Sequence, residues 1–467
     1  MSFDKQAIET DHHRPRIKTG RPRSSMMLTV PGSTYRNCDG LSRRNFLQVG
    51  APLLGLGLSN LLEHESVADD ETRDRGKSLI VFWTHGGMSQ QDTYDMKPDS
   101  PAEYRGPYRP IKTNVPGTIV GERFARQARV MDKIAQVRSV HHENGIHAPS
   151  AHWMQTGYFG PTLARIAAQH PSFGSVINKA LGARSPHMPA YIAVPKAEAF
   201  GYQKSVYLGA SFDPFEVGAD PNSKNFKVPN LALPGGLELA NVRKRRDLLT
   251  RFDSLRRDID RTGVMDGLDA FKSKALEMVT GEEVRKAFEI DSEPDALRAR
   301  YGRHQYGQSA LLARRLVEAG ARVVTVNTGY WDHHNDVHPN LEQHLPPLDA
   351  AMATLLEDLD ERGMLDNTLV YCAGEFGRTP LINGHAGRDH WSNCFTVMLA
   401  GGGIVGGRTV GASERHGGGV LERPSSPLDV LATIYNQMGI ALGTHYEDAS
   451  GRPVSIVGSG RPIHELT

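Results

Sequence analysis

The sequence predicts an α/β protein, a three-layer sandwich in which a mainly parallel central sheet is flanked by helices. Two observations predict it: apolar runs of strand length alternate with longer amphipathic stretches, and the residues fit for chemistry gather just after the strand runs. Residues 78–83 read as a buried strand, 134–140 as a second and 189–194 as a third. A helical pattern over 305–318 leads into a strand at 321–326, and a second helix at 345–362 ends at Gly363. A strand at 367–373 ends in Gly374, and another at 395–400 is stopped by Gly401-Gly402-Gly403. Residues 427–438 close the pattern as a helix. The charged stretch at about 240–300 reads as two or three surface helices forming an insertion or cap, and no internal repeat is visible.

The 467 residues carry 54 Lys+Arg against 53 Asp+Glu, a net charge of +1, which excludes the global basic footprint of sequence-independent nucleic-acid binding. Three cysteines, Cys38, Cys372 and Cys394, are too few and too far apart for a disulfide framework or a cysteine zinc motif. Residues 1–68 stand apart. A polar, basic leader runs into Ser42-Arg43-Arg44-Asn45-Phe46-Leu47 and an apolar stretch at 49–62, then Ser66-Val67-Ala68. The stretch is shorter than a membrane-spanning helix needs. The segment resembles a twin-arginine export signal with a small-x-small cleavage site, which implies passage through the twin-arginine machinery and a periplasmic or extracellular mature chain, 69–467. An ordinary amphipathic helix after a polar tail is the alternative.

In parallel sheets ligands bind beyond the carboxyl ends of the strands. After the first strand stand His85, Gly86, Gly87, Ser89 and Asp92; after the second, His141, His142, His147, Ser150 and His152. Asp332, His333, His334 and His338 follow the strand ending at Val326, and Glu375, His385, Asp389 and His390 follow Ala373. With His344, eleven of the 20 histidines fall in these four regions, which solvated surface does not explain. Imidazoles and carboxylates at several strand ends form the ligand set of borderline metals. Taken singly, each has a plainer reading: His333-His334 as a surface pair, Asp92 as a helix cap, Glu375 as an ion-pair partner of Arg378.

The stretch Asp366-Asn367-Thr368-Leu369-Val370 through Gly374-Glu375-Phe376-Gly377 resembles the sulfatase element D-N-T-L-V-x-x-x-S-D-H-G, with Glu375 at the metal-binding Asp position and Phe376 where a His usually stands. His147-Ala148-Pro149-Ser150 followed by Thr156-Gly157 has the spacing of the sulfatase signature C-x-P-S-R-x-x-x-x-T-G. Trp331-Asp332-His333-His334 and Arg388-Asp389-His390-Trp391 are similar to metal-binding elements of alkaline phosphatases and phosphate mutases. The chain thus resembles the alkaline phosphatase and sulfatase superfamily over about 78–440. Within it, the chain resembles the exported bacterial domain-of-unknown-function 1501 family, marked by G-G-x-S-x-x-D, W-D-x-H, E-F-G-R-T-P and G-R-D-H-W, all present here in order.

The resemblance implies one or two divalent ions, zinc, manganese or calcium. Asp332, His334 and His390 would hold one and Asp92 and Glu375 a second, the missing His at Phe376 weakening the latter. His147 stands where sulfatases place the cysteine that becomes formylglycine, so their ordinary chemistry is not available. Its imidazole is either a ligand or an attacking group, and Ser150, at a helix start, is the alternative nucleophile. Arg378 would clamp the substrate oxygens. The implied function is an exported metal-dependent hydrolase of phosphate or sulfate esters, on a carbohydrate or other extracellular polymer. The alternative is a metal-containing, catalytically inactive module that binds sulfated or phosphorylated glycans. In either case the partner is an anionic ester, with no nucleic acid and no stable membrane insertion.

Overall fold

The computed structural model describes residues 72, 74–160, 167–228 and 281–467. The leader at 1–68 and most of the 240–300 insertion lie outside the described residues. The insertion's last part is helical, at Glu282–Phe288 and Asp295–Tyr301.

Eight strands form the central sheet: β1 Ser78–Trp83, β2 Ile134–Val140, β3 Tyr191–Val194, β4 Phe215–Glu216, β5 Val323–Asn327, β6 Thr368–Ala373, β7 Phe395–Ala400 and β8 Thr409–Val410. Their order is β8-β2-β7-β6-β1-β5-β3-β4. At the centre, β1 runs parallel to β5 and β6, with Val81 opposite both Thr325 and Tyr371. The exception to parallel pairing in this sheet is β7, antiparallel to β2 on one side and β6 on the other. Its direction matters: the chain enters β7 at the edge where β1, β2, β5 and β6 end, so the segment just before β7, including His390, joins their loops there.

The larger helices are α1 His147–Thr156, α2 Phe173–Leu181, α3 Gln305–Glu318, α4 Val337–Glu361 and α5 Pro427–Met438. Successive strand residues point to opposite faces, and β1, buried throughout, shows where each goes. Ile80 and Phe82 pack with Leu311 and Leu312 of α3 and Leu355 of α4. Leu79, Val81 and Trp83 pack with Met154 of α1, Val176 of α2 and Ile434 of α5. Each such side chain, fully removed from water, contributes roughly 1.5–3 kcal/mol before entropy is counted. The result is the three-layer α/β sandwich expected from the sequence.

Boundaries agree for β1, β2, β7, α3 and α5 and differ elsewhere. The last of these helices starts at a capping box, where the Ser426 hydroxyl accepts from Asp429 N–H while Asp429 accepts from Ser426 N–H at 2.8 Å. By contrast, α4 begins at Val337 rather than 345, with Pro346 and Pro347 inside it. Two prolines remove two backbone donors and argue for a helix start. The turns before them survive because Val337, Leu341 and Leu345 are buried and Val337 N–H donates to Ala386 O at 2.9 Å. Among the described residues no helix is long and apolar enough to cross a membrane.

Candidate metal centre

The loops after β2, β5 and β6 bring His147, Asp332, His334 and His390 together, each offering a ligand atom within 4.8 Å of the others. Their outer nitrogens decide what the inner ones can do. His147 Nδ1 faces Glu375 Oε1 at 2.7 Å, His334 Nδ1 faces Asp389 Oδ1 at 2.6 Å, and His390 Nδ1 faces Gly145 O at 2.7 Å. Carboxylates and carbonyls only accept, so each Nδ1 carries the proton, and in a neutral ring each Nε2 is then a lone pair. These lone pairs converge. Nε2 of His334 and of His390 stand 3.0 Å apart, and both lie near Asp332 Oδ1, at 2.9 and 3.1 Å. His147 Nε2 lies 3.0 Å from Asp332 Oδ2 but makes no aligned hydrogen bond. Lone pairs facing at this distance repel unless a proton or cation lies between them. The residues therefore fit a divalent ion, and three imidazoles with one carboxylate suit zinc or manganese better than calcium, which takes oxygen ligands.

Asp332 is held from several sides. Arg378 Nη2 donates to its Oδ1 at 2.6 Å and the Tyr330 hydroxyl to its Oδ2 at 2.8 Å. Burial works to raise its pKa, but the adjacent imidazoles of His147 and His390 and the Arg378 charge outweigh that and hold it well below the usual carboxylate range. Burial likewise works to lower the His147 pKa, yet the carboxylates of Asp332 and Glu375 raise it to about 9. Without metal, then, a proton on His147 occupies the position suited to a cation. The sign for stability follows. A folded pKa above the ordinary 6.5 stabilises the metal-free protein fully below that pH, and the contribution is lost as the pH rises through about 9. The Tm of chelator-treated protein is expected to fall between those two pH values, and a zinc-loaded sample, whose His147 holds no extra proton, is expected to lack that fall.

Other expected site residues lie elsewhere. Asp92 is not with the cluster. It is fully buried in an ion pair with Arg388, at 2.8 Å, and also meets Ser89 Oγ at 2.6 Å and His338 Nε2 at 3.1 Å. Burial works to raise its pKa, but the Arg388 charge overrides this and brings it to about 2. An Asp already neutralised by a guanidinium offers little to a second ion, and no second group of potential ligands occurs among the described residues. Arg378, expected to clamp substrate oxygens, instead directs its N–H groups to the carbonyls of Gly86, Gly87 and Arg388 and to Asp332. It orients a ligand carboxylate rather than facing the cleft. Ser150, expected at a helix start, sits in the first turn of α1, which begins at His147; its hydroxyl is buried and donates to Asn144 O at 2.7 Å.

The remaining histidines divide by contact. His142 Nε2 donates to Glu375 O at 2.7 Å, pinning the end of β6 from the loop that carries Gly145. His333 is buried and stacks on His344, and burial pushes its pKa down to about 4. His152 bonds Tyr158 O at 2.9 Å, and His141 lies 3.3 Å from Ser139 O. Two aromatic neighbours of the cluster, Tyr330 and Phe200, were not singled out from sequence, and Asp389 and Phe376 were noted there without the roles they have here. Asp389 supports His334; its place in G-R-D-H-W was the available signal. Tyr330 and Phe200 flank the rings of His85 and His147, Phe200 at 4.3 and 4.9 Å, and Phe376 stacks on His390 at 4.6 Å. Close backbone approach explains the glycines of two motifs. A Cβ on Gly86, at φ +104°, would lie 2.7 Å from Asp332 N, and one on Gly387 would lie 1.8 Å from His334 O.

Fold and site together define a three-layer α/β protein with a histidine-rich candidate metal centre at the carboxyl edge of its sheet. Within that class the chain belongs to the family described as "Protein of unknown function (DUF1501)", whose family model matches residues 76–467. No curated protein sequence matches it. Solved structures similar to it include the PsFucS1 sulfatase from Pseudoalteromonas sp., at 11% identity over 82% of this chain and 70% of that one, TM-score 0.33. The phosphonate monoester hydrolase SpPMH from Silicibacter pomeroyi matches at 10% identity over 83% and 76%, TM-score 0.35. A protein in the alkaline phosphatase superfamily from Vibrio parahaemolyticus matches at 9% identity over 80% and 70%, TM-score 0.35.

Proposed function

We propose that the chain is an exported, metal-dependent hydrolase of phosphate or sulfate esters. The observation that carries this reading is the convergence of three imidazole lone pairs on Asp332 while every outer nitrogen is tied to an acceptor. His147, Asp332, His334 and His390 would hold one ion, zinc or manganese by donor type. When bound, it supplies Lewis acidity and a counter-charge for the ester oxygens. The protein's own groups prepare the place: Glu375, Asp389 and Gly145 O fix the three tautomers, and Arg378 and Tyr330 orient Asp332. Phe200 and Phe376 shield the rings from water. Both His147 nitrogens face carboxylates and the Ser150 hydroxyl is bound to Asn144 O, so these contacts favour attack by water over a side-chain nucleophile. Export rests on the twin-arginine-like leader.

Elemental mass spectrometry on protein purified from the exporting host tests the centre, with an Asp332→Ala/His390→Ala double variant beside it. About one equivalent of zinc or manganese, lost in the double variant, is the expected result. No metal above background in folded wild-type protein would sink this mechanism. Metal with ester affinity but no turnover would instead favour the glycan-binding alternative.

A further inference from the structure

We propose that the ester taken by this site is that of a ring-bearing alcohol, and that Tyr330 selects it by offering the face of its own ring as a platform. The inference rests on the reading of the cluster as an anionic-ester site and narrows its substrate class. Six large hydrophobic side chains are exposed among the described residues, and two of them adjoin members of the cluster. Tyr330, 51% exposed, stands two positions before Asp332, and Ile146, 48% exposed, directly precedes His147. Scattered single apolar side chains on a surface are ordinary. Two beside one candidate site make a surface that a ligand would cover.

The way Tyr330 is held sets it apart from an ordinary surface residue. Its neighbour Trp331 is buried, with the indole N–H donating to Thr328 O at 2.8 Å and the backbone N–H to His85 O at 2.7 Å. That anchors the backbone beside Tyr330. The far end of its side chain is anchored too, since the hydroxyl donates to Asp332 Oδ2 at 2.8 Å. Between these two points the ring leans on the imidazoles of His85 and His147, with centroids 5.5 and 6.5 Å away. A ring that is half exposed yet fixed at both ends and along its inner side loses little freedom when a ligand covers it.

The hydroxyl proton is engaged by Asp332, so what Tyr330 offers a ligand is chiefly the face of its ring. Such a face receives a flat apolar partner, an aryl ring or the C–H side of a sugar ring. Ile146 is apolar as well, which favours a ring of this kind over a cation. Because Tyr330 bonds a member of the cluster directly, a ring resting on it lies next to the anionic group of the ester. It therefore belongs to the alcohol that carries the phosphate or sulfate, and not to a more distant unit of a polymer. A short-chain alkyl ester would leave the platform uncovered.

Calorimetric titration of the metal-loaded full chain tests this with benzyl, cyclohexylmethyl and ethyl ligands, each as the phosphonate and as the sulfonate, which have no ester bond to hydrolyse. A ring ligand is expected to bind roughly tenfold more tightly than its ethyl counterpart. Preference for benzyl alone marks an aryl ester, and an equal preference for cyclohexylmethyl marks a saturated, sugar-like ring. In Tyr330→Ala the preference is expected to shrink to within about twofold, whereas Tyr330→Phe, which keeps the ring and loses the hydroxyl, is expected to stay within about threefold of the wild type. Each preference is a ratio measured on one sample, so a fall in metal content or folded fraction cancels from it. Equal binding of ring and ethyl ligands by the wild type, an unchanged preference in Tyr330→Ala, or its loss in Tyr330→Phe, which would route the effect through Asp332, each overturns the proposal. A chain that binds none of these ligands brings down the ester reading itself; one that binds them all alike brings down only this inference.

Discussion

His147→Ala is expected to weaken metal retention by at least about 100-fold while leaving a cooperatively folded, destabilised protein. An inner ligand should matter at least as much as the outer partners of metal-bound histidines, whose loss costs 10–100-fold. The substitution also strips Glu375 Oε1 of its imidazole donor, leaving a buried carboxylate with the Gly86 N–H as its hydrogen-bond partner. Removing one partner of a buried charged pair costs about 3–5 kcal/mol. Metal analysis and urea unfolding of the same sample separate the two ways of using this imidazole. If His147 were the attacking group, the variant would keep its ion and lose turnover alone. Retention of a full equivalent of metal in His147→Ala would therefore remove it from the ligand set.

Asp92→Asn is expected to cost a similar 3–5 kcal/mol without changing the metal content of the folded fraction. Asp92 and Arg388 are both fully buried, and Arg388 also donates to the carbonyls of Thr379, Pro380 and Tyr104. This pair fastens the loop before His390 to the loop after β1, so its loss is felt as stability first. The double variant Asp92→Asn/Arg388→Gln is expected to cost less than the two single variants added together, since neither charge is then left alone. Urea unfolding with metal analysis of the native fraction checks both statements. Metal loss in Asp92→Asn at full stability would restore Asp92 as a ligand.

These two residues also show how far the sequence could be read. His147 stood out because a histidine replaced a reactive cysteine at a recognisable spacing, yet its role depended on two carboxylates that come from distant loops. Asp92 sits in an equally recognisable motif, but its nearest cation is Arg388, 296 positions away, and no local pattern announces such a pairing. The bounds of β7, stopped by Gly401, and of α5, opened by the capping Ser426, were legible to the residue. The start of α4 was not, because tertiary burial of Val337 and Leu341 overrides the local signal of Pro346 and Pro347. Asp332, His334 and His390 were legible as a group since parallel topology places strand ends together. Arg378 was misjudged for a reason of geometry: its charge was plain, but the three carbonyls that absorb its N–H groups become neighbours only in the folded chain.

His147 and Glu375 are separated by 228 positions, and His334 and His390 by 56. A ribosome therefore releases the members of this set one after another, and no nascent chain shorter than His390 contains them all. Closing loops of such length loses entropy before contacts compensate. The centre is thus a late arrival in folding, and an ion offered earlier meets scattered imidazoles, not a site. Once the sheet is complete, an ion held at the proposed centre would act on the finished molecule alone and deepen its stability by mass action. Metal uptake would then serve as a report of completeness, available to a whole chain and withheld from a truncated one.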